Sequence, residues 1–540
     1  MMASRKARSP ASNSVRRLQS WWIPLATILL CVIGVVAIHA GWLAFSQRPA
    51  FDFLMLLAVM EIVVGGWLLL LSPLQPNRRL LAVTIFVASQ AAIHQMVRLE
   101  GFAGDGRPIW TWRWIPAPQE RVDWRQHHQQ QIASITQLPA VDLTHTSNED
   151  YPGFRGPNRT GHATSPSLAS DWQAKPPRLL WRQPIGAGWS SFAMVGDYCV
   201  TQEQRGEHEA TVCYELRTGR EFWAHLERAR FAEPTSGEGP RATPTIHHGR
   251  VYSLGATGAL NSLDGATGRP NWTVDILKDQ PKSQRLFGVA GSPLVAGSMV
   301  IVNPGSAGSS LAAYDLDTGS PVWQAGNSGA SYSSPQAATL CGSAQILDFN
   351  AEGLFAHDVA GGAVLWNIPW ISNPQERNNV CQPVVCPEIS PGVDGVFLSS
   401  GYGMGSAMLE VRRKAGKYEV TERWRNKHLK AKFSSVIVHE GHVYGLDNSI
   451  LTCLDLATGQ RRWKGGHFGY GQILLAGSLL FVQLESGEVA LVEASPIAFR
   501  ERARFAALSH RTWNHPALAG RYLLVRNDRE AACYELATNP

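Results

Sequence analysis

Residues 213–223 read "CYELRTGREFW", and four more stretches follow the same plan: "SLDGATGRPNW" (262–272), "AYDLDTGSPVW" (313–323), "AHDVAGGAVLW" (356–366) and "CLDLATGQRRW" (453–463). Each begins on a small residue, carries Asp or Glu at the third position, turns at TG or GG and ends on tryptophan. Glycine reaches positive φ without steric cost, and the carboxylate accepts N–H groups of the turn, so each stretch predicts an outer β-hairpin. A closing indole buries about 150–250 Å², enough to fill the wedge between neighbouring sheets.

The spacing of these indoles decides the architecture. Trp223, Trp272, Trp323 and Trp366 are 49, 51 and 43 residues apart, and a looser copy ending at Trp424 precedes Trp463 by 39. Periods of about 40–50 residues with four strands per unit are the mark of propeller blades. Residues 471–505 supply a seventh unit without tryptophan. The last unit, 512–540, stops after the strand holding Cys533, one strand short, while "PPRLLWRQPIG" (176–186) contains an unassigned strand around Trp181. Pairing the two closes the ring and removes its last open edge. The predicted fold is all-β, an eight-bladed β-propeller over residues 151–540 with its closing blade shared between the two ends. The repeated Asp and Trp residues are then turn and wedge positions, not catalytic acids.

The rest of the 540 residues has a different character. Residues 21–45 carry no formal charge, longer than the roughly 20 residues that cross a hydrocarbon core as a helix. Residues 51–74 and 80–97 are two further apolar runs, so 21–97 predicts three transmembrane helices. They are preceded by a basic tail (1–20) and followed by an interfacial segment and linker (98–150). The tail supplies five of the six net positive charges, which argues for membrane orientation rather than nucleic-acid binding. With Arg78 and Arg79 in the second loop, it places the N-terminus in the cytoplasm of a bacterial inner membrane and the propeller in the periplasm. Glu61 and His94 within the runs leave two readings open, an interhelical hydrogen bond or a quinone or proton site. The His127–His128 pair in the linker lacks the further ligands of a metal site.

Eight cysteines include no C-x-x-C motif. Cys199 and Cys213 sit symmetrically about Gly206 and are one candidate disulfide pair, and Cys381 and Cys386 are another. Cys453 and Cys533 occupy the small-residue slot and are expected as buried free thiols.

Function in a propeller concentrates where the innermost strands begin around the axis. Those stretches are rich in small and polar residues, and two readings remain. The crowded axis demands small side chains, or Arg241, Tyr332, Asn379, Lys432, Tyr470, Gln472, Asn514 and His515 line a polar pocket whose two cations favour an anionic or quinone-like ligand.

The D-x-x-T-G-x-x-x-W cores resemble those of pyrroloquinoline-quinone-type β-propellers, a superfamily of quinoprotein dehydrogenases and outer-membrane assembly lipoproteins. "FRGPNRTG" (154–161) and "GPRATPT" (239–245) look like a bacterial branch of such repeat proteins. For a dehydrogenase the resemblance implies bound pyrroloquinoline quinone, a vicinal Cys–Cys disulfide over it, a tryptophan under it, and calcium beside a catalytic Asp. No adjacent cysteines occur, and no motif places the Asp or the calcium ligands. A membrane-anchored propeller that binds a protein or small ligand is therefore expected. The alternative is a quinone-dependent dehydrogenase passing electrons toward the membrane, in the layout of the membrane glucose dehydrogenases.

Overall fold

In the computed structural model, residues 22–39, 49–116, 122–124, 141–278, 286–372 and 377–539 are described. The basic tail and the His127–His128 pair lie outside them. The chain divides into a helical unit, residues 1–116 with 234–236, and a β unit formed by the remainder.

The helical unit holds α1 (Trp22–His39), α2 (Pro49–Leu70) and α3 (Pro76–Met96), followed by a hairpin of β1 (Val97–Phe102) and β2 (Pro108–Trp112). Among the described residues no helix is long and apolar enough to cross a membrane, so the expectation of three transmembrane helices is not supported. The 18 residues of α1 rise about 27 Å against a core of about 30 Å. α2 carries Asp52 and Glu61, and α3 starts with Arg78 and Arg79 in its first turns.

The β unit is the eight-bladed propeller. Blades 1 to 8 occupy residues 193–227, 245–275, 294–325, 336–369, 384–426, 437–465, 472–506 and 517–535, each an antiparallel sheet in chain order from the axis outward. The eighth takes its outermost strand from Arg178–Pro184, and Cys533 stands opposite Trp181 in the register, as the repeat requires. The innermost strands of blades 8 and 1 are in contact, so the ring is continuous. Blade 7 gains a fifth, parallel strand, His162–Ala163, beside Leu475 and Ala476.

Each wedge residue does two things. Opposite its own small partner (Cys213 to Trp223, Ser262 to Trp272, Ala313 to Trp323) it fills the gap. Its Nε1–H then reaches the outer hairpin of the next blade, except in Trp366, which donates to Gln345 Oε1 of its own blade at 2.8 Å. Trp181 donates to Leu216 O at 2.8 Å, Trp223 to Gly265 O at 2.9 Å, Trp272 to Leu316 O at 3.0 Å and Trp463 to Ser495 O at 2.7 Å. The glycine of that hairpin lies flat on the ring. A Cβ on Gly268 would come within 2.4 Å of Trp223, and one on Gly319 within 2.7 Å of Trp272, while both hold φ of +70°. The tryptophan of one repeat and the TG of the next are thus one device.

The carboxylates act locally, as expected. Asp264 accepts from Thr267 N–H at 2.9 Å, and Asp455 accepts from Thr458 N–H at 2.9 Å and its hydroxyl at 2.8 Å. Blade 7 has Ala503 where the others have tryptophan. Trp172, from the segment ahead of the ring, packs there against Phe505 and Phe481 at 5.3 and 6.1 Å between centroids.

All eight cysteines are free thiols. The Cys199–Cys213 pairing fails on register. Val200 faces Cys213 and Cys199 faces Tyr214, and neighbours along a strand point to opposite faces. Cys381 and Cys386 are both buried and likewise unbonded. Cys453 and Cys533 are buried as expected.

Candidate functional site at the propeller axis

Three layers of contacts surround the axis. Where the innermost strands begin, residues just ahead of them form a collar that passes through all eight blades. Trp189 packs on Trp513 at 5.0 Å, Trp513 on Phe433 at 5.5 Å, and Phe433 on Tyr470 at 5.5 Å. Lys432 Nζ stands 4.8 Å from the Phe433 centroid, 4.9 Å from Tyr470 and 5.6 Å from Tyr402. Tyr402 OH receives Asn378 Nδ2 at 3.3 Å, and Asn379 O receives Tyr332 N–H at 3.0 Å. Tyr332 meets Phe287 edge-on at 5.4 Å. Arg241 lies 4.5 Å over Phe231 and donates to Gly237 O at 2.9 Å. Arg511 lies 5.0 Å over Trp189 and 4.4 Å over Trp513.

Cations on ring faces gain from the quadrupole and are held in place without losing their charge. Burial pulls the Arg241 guanidinium down to about 10, with Glu209 opposing, so it stays charged at neutral pH. Glu485 is fully engaged, accepting Trp513 Nε1–H at 2.9 Å through one oxygen and Tyr470 N–H at 3.1 Å through the other.

One layer deeper runs a belt of bonds from blade to blade. Ser191 N–H donates to Thr243 Oγ1 at 3.0 Å, Thr243 N–H to Ser292 Oγ at 2.9 Å, and Ser292 N–H to Ser334 Oγ at 2.9 Å. Ser334 N–H donates to Gln382 Oε1 at 3.3 Å and Gln382 N–H to Ser435 Oγ at 3.1 Å. These small polar residues satisfy backbone donors that the crowded axis would otherwise strand.

The far end is filled by residues 151–163. Arg155 donates to Thr160 O at 2.8 Å and Val436 O at 2.6 Å, and Arg159 to Ser292 O at 3.1 Å, Pro335 O at 2.9 Å and Pro293 O. Their desolvated guanidiniums are shifted downward, Arg159 to about 9.

The eight nominated residues separate accordingly. Arg241, Tyr332, Lys432 and Tyr470 belong to the collar. Asn379, Gln472 and Asn514 use their amides as cross-links: Asn379 Nδ2 to Asn350 O at 2.8 Å, Gln472 Nε2 to Phe433 O at 2.9 Å and Trp513 O at 3.0 Å, and Asn514 Nδ2 to Ser190 O at 2.8 Å. His515 faces the far end, edge-on to Phe154 at 5.1 Å, and desolvation followed by the Arg155 charge keeps its imidazole well below its usual range. Trp189, Phe433, Arg511 and Trp513 were not nominated from the sequence, although each lies just ahead of an innermost strand.

A separate cleft of about 390 Å³ opens at the closing seam, lined in part by Arg178, Glu215, Arg217, Arg521 and Glu535. Its cations are already matched, Arg178 and Arg521 by Glu535 and Arg217 by Asp197.

The collar does not fit a calcium-held quinone. Among the described residues no three His, Cys, Asp or Glu side chains come together as a metal site. The Glu485 carboxylate is committed to the collar itself, and no cysteine pair is bonded to cover a cofactor.

Residues 207–465 match the model of a family described as outer membrane protein assembly factor BamB. A curated relative, the quinohemoprotein alcohol dehydrogenase ADH-IIG of Pseudomonas putida, is 27% identical over 126 residues, which is 22% of this chain and 17% of that protein. Among solved structures, a quinohemoprotein alcohol dehydrogenase of Pseudomonas putida HK5 superposes with a TM-score of 0.55 at 12% identity, covering 74% of this chain and 84% of its own. That of Comamonas testosteroni does so with 0.55 at 13%, covering 76% and 84%. A europium-containing methanol dehydrogenase gives 0.53 at 14%, covering 70% and 90%. Identities this low speak for fold alone. The repeat and the ring are those of a pyrroloquinoline-quinone-type β-propeller.

Proposed function

We propose that this chain is a binding propeller held at a bacterial membrane on its extracytoplasmic side. Its collar takes a small ligand or a protein segment that carries negative charge beside a planar or apolar group. The observation that carries the reading is the collar of aromatic rings with Lys432, Arg241 and Arg511 laid on their faces. Fixed cations next to flat apolar surfaces are pre-organised for such a group, and little ordering entropy is lost when it arrives. Arg241, Tyr332, Lys432 and Tyr470 are the contacts assigned from the sequence, with Trp189, Arg511 and Trp513 added by the collar. Attachment to the membrane rests on the uncharged run 21–45, the basic tail, and large apolar side chains such as Leu25, Ile62, Leu70 and Leu80 exposed on the helical unit. The propeller would then lie in the periplasm.

A quinone-dependent dehydrogenase is the second reading, favoured by the stretch shared with the alcohol dehydrogenase of Pseudomonas putida. The residues of the collar do not fit its calcium-held cofactor.

Titrating the detergent-solubilised full chain with pyrroloquinoline quinone, with and without calcium, tests both through tryptophan quenching and dye reduction by alcohols. Quenching weakened about tenfold in each of Lys432→Ala and Arg511→Ala, the cost of one charge-assisted contact, supports the collar as a binding site. Dye reduction would make the protein a dehydrogenase. Saturation unaffected by either substitution would move the site off the collar.

A further inference from the structure

The hairpin that follows α3 has two unlike faces. Trp110 pairs with Leu99 and Trp112 with Val97, and residues directly opposite in an antiparallel pair share a face. One face therefore carries Val97, Leu99, Trp110 and Trp112. Trp114, just past the strand, stacks on Trp112 with centroids 4.6 Å apart and planes 11° from parallel. The three indoles are 46%, 47% and 63% exposed, and Ile115 beside them is 36% exposed. A soluble two-stranded hairpin has no reason to leave three indoles outside, since each could bury on the order of 150–250 Å².

The hairpin is also a rigid continuation of the helix. Arg113 Nε donates to His94 O, near the end of α3, at 2.9 Å and to Val97 O, at the start of β1, at 3.1 Å, and Arg113 N–H to Met96 O at 2.8 Å. Arg98 Nη2 donates to Ile115 O at 2.9 Å, tying the end of the aromatic segment back to the first strand. α3 itself leaves Leu80, Leu81, Ile85 and Val87 exposed, and Ile93 and Met96 at its end beside the hairpin. Arg98 (opposite Thr111), Arg113 and Arg107, the last paired with Asp105 at 2.7 Å, accompany the indoles on this short hairpin.

We infer that this hairpin is an interfacial anchor, whose Trp110, Trp112 and Trp114 lie among the headgroups of an anionic lipid surface and fix the depth at which the chain leaves the membrane. Indoles are amphipathic, with an apolar body and one N–H, and they concentrate where acyl chains meet headgroups. Guanidiniums at the same level meet lipid phosphates. A protein partner would bury such rings completely, whereas a lipid interface suits rings with a polar tip flanked by cations. The inference rests on the membrane attachment proposed above and goes further in naming the element and its depth.

The test uses the full chain reconstituted in phosphatidylglycerol and phosphatidylcholine vesicles, with bromine at a shallow acyl position as the quencher. Residues 1–116 contain seven tryptophans, so Trp110→Phe/Trp112→Phe/Trp114→Phe should lose roughly two-fifths of the lipid-quenchable fluorescence, and iodide in the aqueous phase should quench little of what was removed. An unchanged bromine-quenchable fraction would overturn the inference even if the chain still sediments with vesicles. Failure of the unaltered chain to associate with vesicles at all would overturn the attachment itself. Thermal melting of the triple variant, read from the propeller, controls for misfolding.

Discussion

Trp323 shows what one side chain contributes. It is 9% exposed, donates Nε1–H to Val359 O at 3.1 Å, and lies where a Cβ on Gly362 would come within 2.5 Å. Trp323→Ala should cost about 3–5 kcal/mol in denaturant titration, because the blades on either side cannot close the space. A near-neutral result would deny the wedge role. Two buried carboxyls set a pH dependence. Desolvation raises Glu209 and Asp348 to about 7 each, from ordinary values of 4.5 and 3.8. The folded state holds these protons more tightly than the unfolded chain does, so their contribution to stability is whole below about pH 4 and is lost as pH rises through about 7. Glu209→Gln keeps an acceptor for Ala256 N–H and removes its share, so the drop in Tm between pH 5 and 8 should shrink. The wedge residues were legible in the sequence because a repeat displays them seven times over. The Cys199 and Cys213 thiols were misjudged because equal distance from a turn does not state which residues share a face, and a single step of register separates them.

At the scale of elements, the closing strand Arg178–Pro184 could be placed from sequence, since its partner lacked exactly one strand and the small-residue rule named Cys533. What fastens the seam beside it was not legible. Arg526, 1% exposed, donates to Thr201 Oγ1 at 2.7 Å, Gln202 O at 2.8 Å and Gly186 O at 2.9 Å, joining blade 8 to blade 1. Two of those acceptors are backbone carbonyls, which any residue supplies. Arg526→Leu strands them in the interior, and a loss of about 3–5 kcal/mol is expected. Limited proteolysis should then nick the chain first at the seam, near residues 185–189. Uniform cleavage around the ring would show that the seam is no weaker than any other junction. The same blindness explains the axial residues. Asn379, Gln472 and Asn514 present polar side chains toward the axis, and only coordinates reveal that their amides are occupied by carbonyls of the neighbouring loops.

On the scale of the whole molecule, the segment 151–163 acts as a hub. It bonds to blade 1 through Tyr151 and Met194, to blade 2 through Pro152 O and Ile246 N–H, to blades 3, 4 and 6 through its two arginines, and to blade 7 as an added strand. Repeat proteins whose units touch only their neighbours can lose cooperativity, and a hub opposes that. Arg155→Ala/Arg159→Ala should lower Tm and broaden the calorimetric transition of the ring. A sharp transition at the original temperature would show that the blades cohere without it.

The strand swap between the two ends also orders events in time. Arg178 leaves the ribosome 357 positions ahead of Glu535, the residue it ultimately faces. Throughout translation and any export the first strand must therefore wait unsatisfied, and the ring is sealed only once residues 530–535 have been made. A circular permutant that starts near residue 187 and carries 176–186 behind residue 540 turns that longest-range pairing into a local hairpin. Since loop closure over hundreds of residues is slow to pay back its entropy, such a permutant should refold faster than the natural order.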